Sequence, residues 1–371
     1  MKIAIVTLPL HTNYGGILQA YALQTVLERM GCEVEHLQPR IQYSPLLSVW
    51  KMPFVWGKRI VRKYVGGERA LPIFENPSKI IRKNTDVFIA SYIRAKYLNE
   101  EDWNVKLVQD YDAIIFGSDQ IWRPTYALPL ERYFGKFIET SSLKKIVYAA
   151  SFGTDINEYT SEQIQECSNL LSKFKVVSVR EQSAISFCRD YFGVEATLQI
   201  DPTLLLDSND YVSLIQKVET FSINGTLGVY VLDENKQIHA IVDKISRQKG
   251  LKPFRVGSKV ENHNAPIIER IQPPVEQWLR AFYDAEFIVT DSFHGTVFSI
   301  LFHKSFICIG NKNRGMSRFY SLLKMFGLED RLVDIHHHDN CRFSEINWDG
   351  VDEILAQKRK EAISFVVKSL N

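Results

Sequence analysis

A single histidine, His294, stands where proton transfer to a bound anion is simplest to arrange. It lies in FIVTDSFHGTVFSILFHKSFICI (287–309), where a buried strand gives way to Asp291-Ser292-Phe293-His294-Gly295, a helix and another strand. The first helical turn disfavours imidazolium, and its free backbone N–H groups attract anions. A histidine beside an anion suits general acid–base work; the other reading is a structural histidine. Arg180 closes the strand-like VVSVR (176–180), and Lys312, Arg314 and Arg318 lie in GNKNRGMSR (310–318). Such cations, with the helix start at Ser292 and Gly295, clamp phosphate and carboxylate, or else pair with neighbouring carboxylates.

Two loops at strand ends complete the candidates. Asn13-Tyr14-Gly15-Gly16 follows the first apolar run and opens a helix, so it reads either as a binding loop or as a tight turn. Gly117-Ser118-Asp119-Gln120-Ile121-Trp122 combines hydrogen-bonding groups with an aromatic ring; Trp122 is either a sugar platform or a core residue. P-loop, dinucleotide, H-E-x-x-H, G-x-S-x-G and EF-hand patterns are missing from the sequence. Asp110-Tyr-Asp112 precedes its strand, on the wrong side for a cleft, and the adjacent histidines 336–338 cannot easily converge on one ion, so no metal is expected.

The elements that must position these groups are alternating strands and helices, the pattern of parallel sheets covered on both faces. Strands are expected at 2–8, 32–37, 113–116, 145–149, 176–179 and 197–200, with a helix over 17–30 after the Asn13–Gly16 turn. A second set runs through strands 226–232, 254–256, 287–290 and 306–309, with a helix at 237–249. The expected architecture is therefore α/β: two Rossmann-like domains, 1–206 and 207–371, facing a cleft. The crossing falls in 206–224, and a final helix, 351–370, packs on either or both domains.

Composition narrows the partners. The 371 residues are 45% hydrophobic and 24% charged with a net charge of +2, so the overall field gives no reason to expect nucleic acid. Five scattered cysteines without a C-x-x-C pair fit buried thiols in a reducing, cytoplasmic setting. No apolar stretch approaches the roughly 20 residues of a membrane span. The segment 42–67 carries Lys51, Lys58, Arg59, Arg62 and Lys63 among Trp50, Phe54, Trp56 and Tyr64 without an acidic residue. It is either a surface that docks on an anionic membrane face or a solvated amphipathic excursion.

Six stretches in order resemble the polysaccharide pyruvyl transferase family, in its branch opening N-Y-G-G-x-L-Q-A-Y-A-L. They are Asn13–Leu23, Phe116-Gly-Ser-Asp-Gln-Ile-Trp122, Tyr148-Ala-Ala-Ser-Phe-Gly153, Ser178-Val-Arg-Glu181, Asp201-Pro202 and Thr290-Asp-Ser-Phe-His-Gly295. The resemblance covers nearly the whole chain. It implies a glycosyltransferase-B-like pair of domains, acceptor side first and donor side second. It also implies transfer of pyruvate from phosphoenolpyruvate to hydroxyls of a saccharide, lipid-linked or free, in surface polysaccharide or glycan synthesis, with no cofactor besides that co-substrate. His294 then corresponds to the family's catalytic histidine, Arg180 to a donor-binding arginine and Arg314 to its later basic residue. Ser292 departs from the arginine that characterised members often carry two positions before the histidine. The alternatives are a nucleotide-sugar glycosyltransferase sharing the domain pair and a saccharide-binding relative without activity.

Overall fold

Strands buried on both faces read as unbroken apolar runs, and IAIV (3–6), AIIF (113–116) and FIVT (287–290) fold accordingly. The computed structural model describes residues 1–40, 77–139, 142–221, 223–310, 315–335 and 345–371. The first unit comprises β1 (Lys2–Val6), α1 (Tyr14–Arg29), β2 (Glu33–Pro39), α2 (Pro77–Tyr92), β3 (Ala95–Leu98), β4 (Ala113–Phe116), β5 (Lys144–Ala150), α3 (Ser161–Leu171), β6 (Val176–Val179), α4 (Gln182–Phe187) and β7 (Thr197–Leu198). After α5 (Ser208–Gln216) come β8 (Leu227–Tyr230), α6 (Lys236–Lys249), β9 (Pro253–Arg255), α7 (Ile267–Arg270), α8 (Val275–Asp284), β10 (Phe287–Thr290), α9 (Phe293–Leu301), β11 (Ser305–Ile309), α10 (Ser317–Phe326), β12 (Leu332–Val333) and α11 (Trp348–Leu370).

Both sheets are parallel throughout. The first has strand order 3-2-1-4-5-6-7 and the second 12-11-10-8-9. In each, the chain reverses its direction of winding beside a central strand: between β1 and β4 in the first, and between β8 and β10 in the second. Ligands of open α/β sheets lodge outside the carboxyl ends of strands at such switch points. The loops after these four strands are the ones that meet between the domains.

One hydrophobic cluster runs without a break from α1 through the inner face of the second sheet and α11, while separate clusters fill the outer faces. At its centre Tyr14 stacks on Trp278, with ring centroids 5.1 Å apart, and its hydroxyl donates to the Pro273 carbonyl at 2.8 Å. The final helix returns to the first domain. Phe365 packs on Tyr148, and Arg359 donates to the carbonyls of Leu204 and Leu206.

Three local expectations change. Helix α1 begins at Tyr14, not Ile17, because Asn13 caps it by accepting from the Gly16 N–H; the two glycines are helix, not turn. The crossing stretch carries α5, capped by Asp207. Helix α2 and strand β3 were unforeseen, and the basic segment 42–67 and the histidines 336–338 fall outside the described residues. Cys167, Cys188 and Cys308 are buried as expected, Cys32 only half so, and Cys341 is not among the described residues. Among the described residues no helix is long and apolar enough to cross a membrane.

Because Trp278 is 1% exposed and touches both domains' aromatics, Trp278→Ala should destabilise the chain by about 3–5 kcal/mol. A guanidinium unfolding curve followed by circular dichroism would show the loss as a lowered midpoint; an unchanged midpoint would refute the role of this contact.

Candidate active site

The loop after β10 is fixed before it does any chemistry. The buried Asp291 carboxylate accepts the backbone N–H groups of Leu232 (2.7 Å) and Asp233 (3.0 Å), tying it to the loop after β8. Ser292 caps α9 by accepting from the Gly295 N–H at 3.3 Å. Residue 295 must be glycine, since a Cβ there would lie 2.3 Å from the Thr290 hydroxyl. His294, the second residue of α9, thereby projects at the first turn of α1. A Cβ on Gly15 would stand 1.9 Å from its Nδ1, so only glycine lets the two helix starts approach.

On the other side of the ring, His294 Nε2 lies 3.6 Å from Asp201 Oδ2. The same carboxylate accepts from Arg180 Nη1 at 2.5 Å and from the Thr203 N–H and hydroxyl. Arg180 Nη2 is 3.5 Å from Asp119, and the guanidinium sits over the Phe293 ring at 4.4 Å, with Arg318 against the same ring at 5.7 Å. All of these groups are buried.

Their charges shape one another. Burial pushes the Asp201 carboxyl up, but His294 and Arg180 outweigh it and hold it well below the ordinary carboxylate range. Burial pulls Arg180 down, and Asp201 and Asp119 more than restore it. Arg318, desolvated and close to Arg180, falls to about 10.

In front of this cluster opens a cleft of about 1140 Å³, lined by the loops after β1, β4, β8 and β9 and by Ser292. Of the candidates, Asn13, Asp119, Gln120 and Ser292 line it. His294, Arg180, Gly295 and Arg318 are buried and do not line it, although Arg180 reaches Asp119, which does. Tyr14, Gly15, Gly16 and Ser118 are buried. Trp122 is core: it is fully buried, stacks on Phe134 at 5.2 Å and donates to the Tyr133 carbonyl. The exposed aromatic of that loop is Tyr126, which does line the cleft. Lys312 and Arg314 are not among the described residues.

Asp201, Phe293 and His11 were passed over as chemistry. Asp201 had a signal, a carboxylate just beyond a strand end, but Asp-Pro reads first as a turn. His11 stands in the cleft wall, where its Nδ1 accepts the Thr12 N–H at 2.7 Å.

The family model for polysaccharide pyruvyl transferase matches residues 13–313, and the chain belongs to that family. It is a transferase. The match spans Asn13 to His294 and stops short of Arg314 and Arg318. No curated protein matches the chain. Among solved structures it is similar to a UDP-GlcNAc 2-epimerase from Neisseria meningitidis bound to UDP-GlcNAc, at 9% identity and a TM-score of 0.49, covering 100% of this chain and 99% of that one. It is similar also to the S. aureus MnaA–UDP co-structure (12% identity, TM-score 0.45, 99% and 95% covered). A third is the Streptomyces sp. SF2575 glycosyltransferase SsfS6 with thymidine diphosphate (11%, 0.43, 99% and 99%).

Removing one partner of a buried ion pair strands the other charge, at about 3–5 kcal/mol, and Asp201→Asn should destabilise the chain by that amount at pH 7. A depressed folded pKa stabilises above the unfolded value of about 3.9 and is lost as pH falls through the folded value. The gap between the denaturation midpoints of the two proteins should therefore begin to narrow below about pH 4 and go on narrowing down to pH 2; a gap independent of pH would sink this account.

Proposed function

We propose that this transferase moves the pyruvate unit of phosphoenolpyruvate onto two hydroxyls of a saccharide, closing a ketal. One observation carries the reading. Arg180 Nε and Nη2 and His294 Nε2 are buried without a hydrogen bond among the described residues, although Nη2 and Nε2 face Asp119 and Asp201 at 3.5 and 3.6 Å, where two helix N-termini meet. Buried donors are nearly always satisfied, and donors gathered around positive helix ends suit phosphate and carboxylate oxygens. Phosphoenolpyruvate carries both.

The chemistry divides into two additions. A proton goes to the methylene carbon, leaving the neighbouring carbon electron-poor; a sugar hydroxyl oxygen bonds to that carbon and gives up its proton. A second hydroxyl oxygen then bonds to the same carbon as the C–O bond to phosphate breaks, and its proton leaves with phosphate. His294 transfers protons, with Asp201, 3.6 Å from its Nε2, as the carboxylate that balances imidazolium. Arg180 and Arg318 hold the anion through both steps. The saccharide lies in the cleft, reaching the reacting carbon past Asp119 and Ser292.

General acid–base assistance is worth about 10² to 10⁴ in rate, so His294→Gln should lose that much phosphate release from phosphoenolpyruvate while still binding it by calorimetry. Turnover at the wild-type rate across a panel of free and lipid-linked saccharides would remove His294 from the mechanism.

A further inference from the structure

An aromatic ring stands in the wall of the cleft, and it is not Trp122. Tyr126, four residues on, is 46% exposed and lines the cleft. Its backbone is closed into a turn, the Tyr126 N–H donating to the Arg123 carbonyl at 2.9 Å. Over the ring lies the Arg123 guanidinium, 4.7 Å from the centroid. That guanidinium is buried and donates twice to Glu158, from Nη2 at 2.9 Å and from Nε at 3.2 Å. The Thr125 hydroxyl donates to the same carboxylate at 3.3 Å. The braced cation covers one face of the ring and leaves the opposite face to the cleft.

A ring fixed before its ligand arrives costs little further ordering on binding. Its apolar face suits the C–H face of a pyranose, whose hydroxyls point sideways. Those hydroxyls both donate and accept, and they need partners that do the same. Thr12, Asn13, Gln120, Ser258 and Asn262 line the same cleft with neutral hydroxyl and amide groups. The volume, about 1140 Å³, lies above the roughly 300–1,000 Å³ usual for small-molecule sites, so more than one sugar unit has room. Tyr126 is within electrostatic reach of Arg318, which sets a unit on its ring beside the buried cluster.

We propose that Tyr126 is the platform on which the cleft holds one pyranose ring of an oligosaccharide, and that this contact decides which saccharides are accepted. Arg123, Glu158 and Thr125 act through it by keeping the ring in place. The inference rests on the proposed function only in calling that oligosaccharide the acceptor.

A glycan array printed with mono-, di-, tri- and tetrasaccharides tests it on the full chain. The wild-type protein should be retained on a subset of the longer glycans and more weakly on their single units. Tyr126→Ala should weaken that retention about tenfold, the order of an aromatic contact together with the area it covers. Tyr126→Phe, which keeps the ring, should stay within about twofold of the wild type. No retention of the wild type, equal retention of wild type and Tyr126→Ala, or equal loss in Tyr126→Phe and Tyr126→Ala would each overturn the assignment. Binding of uridine or adenosine diphosphate, seen by calorimetry and lost in Tyr126→Ala, would give the ring to a nucleobase instead and overturn it as well. Phosphate release from phosphoenolpyruvate on the retained glycans separates the two readings. Its absence, with the Tyr126 variants behaving as expected, would remove the donor chemistry alone; its presence on glycans whose retention ignores Tyr126 would remove only the platform.

Discussion

Two helices from different domains meet start to start at Gly15 and His294, and the rest of the molecule answers to that contact. Each helix start carries about half a positive charge, and two guanidinium groups share the Phe293 ring beside them. Left alone, such a concentration of one sign in a dry place would drive the domains apart. Two unit charges 4 Å apart interact by about 4 kcal/mol at the effective dielectric of a protein. Asp201 and Asp119 offset it, Asp201 through three donors in addition to the nearby imidazole. The balance is local: Asp201, Asp119 and Glu181 stand against the two arginines and the two helix ends.

Close approach of backbone is the second requirement, and glycine meets it. Besides Gly15, Gly315 sits at φ +87, where a Cβ would be 1.4 Å from the Gly153 carbonyl oxygen of the opposite domain. Gly153 in turn has φ +73, with the Gln120 side chain where its own Cβ would be. The loops after β4, β5 and β11 are thus interlocked by backbone contact. Glu181 fixes one of them by accepting from the Ser151 hydroxyl and the N–H groups of Phe152 and Gly153. Several of the short sequence stretches that mark the family are the surfaces on which these loops touch.

Much of this was legible in the residues, and what escaped did so for physical reasons. Fully buried parallel strands announce themselves as apolar runs, so β1, β4 and β10 were found with nearly correct bounds. Strand β3 did not, because it is an edge strand of four residues whose adjacent Lys96 and Tyr97 are exposed, and so short a run without alternation resembles a loop. The start of α1 was misplaced because a glycine pair reads as a turn, although Asn13 carried the capping signal. Trp122 and Tyr126 lie in one loop, yet one is core and the other lines the cleft; that choice is made by Phe134 and Phe152 packing from elsewhere. His294 and Arg180 could be picked out by their places at strand ends. Their common partner Asp201 stood in one of the six family stretches, but its role did not show, because local sequence holds no record of which strand ends the fold brings face to face.

Asp119 belongs both to the buried cluster and to the cleft, and it does so with φ +72, a conformation unusual for a residue with a Cβ. Such strain, on the order of 1–3 kcal/mol, persists only where the surroundings over-determine it. Here its carbonyl accepts the N–H groups of both Ile121 and Ser151, pinning the loop to its neighbour. Held as it is, one carboxylate partly neutralises the arginine and at the same time lines the cleft, so the buried cluster and the open cleft are joined through a single residue.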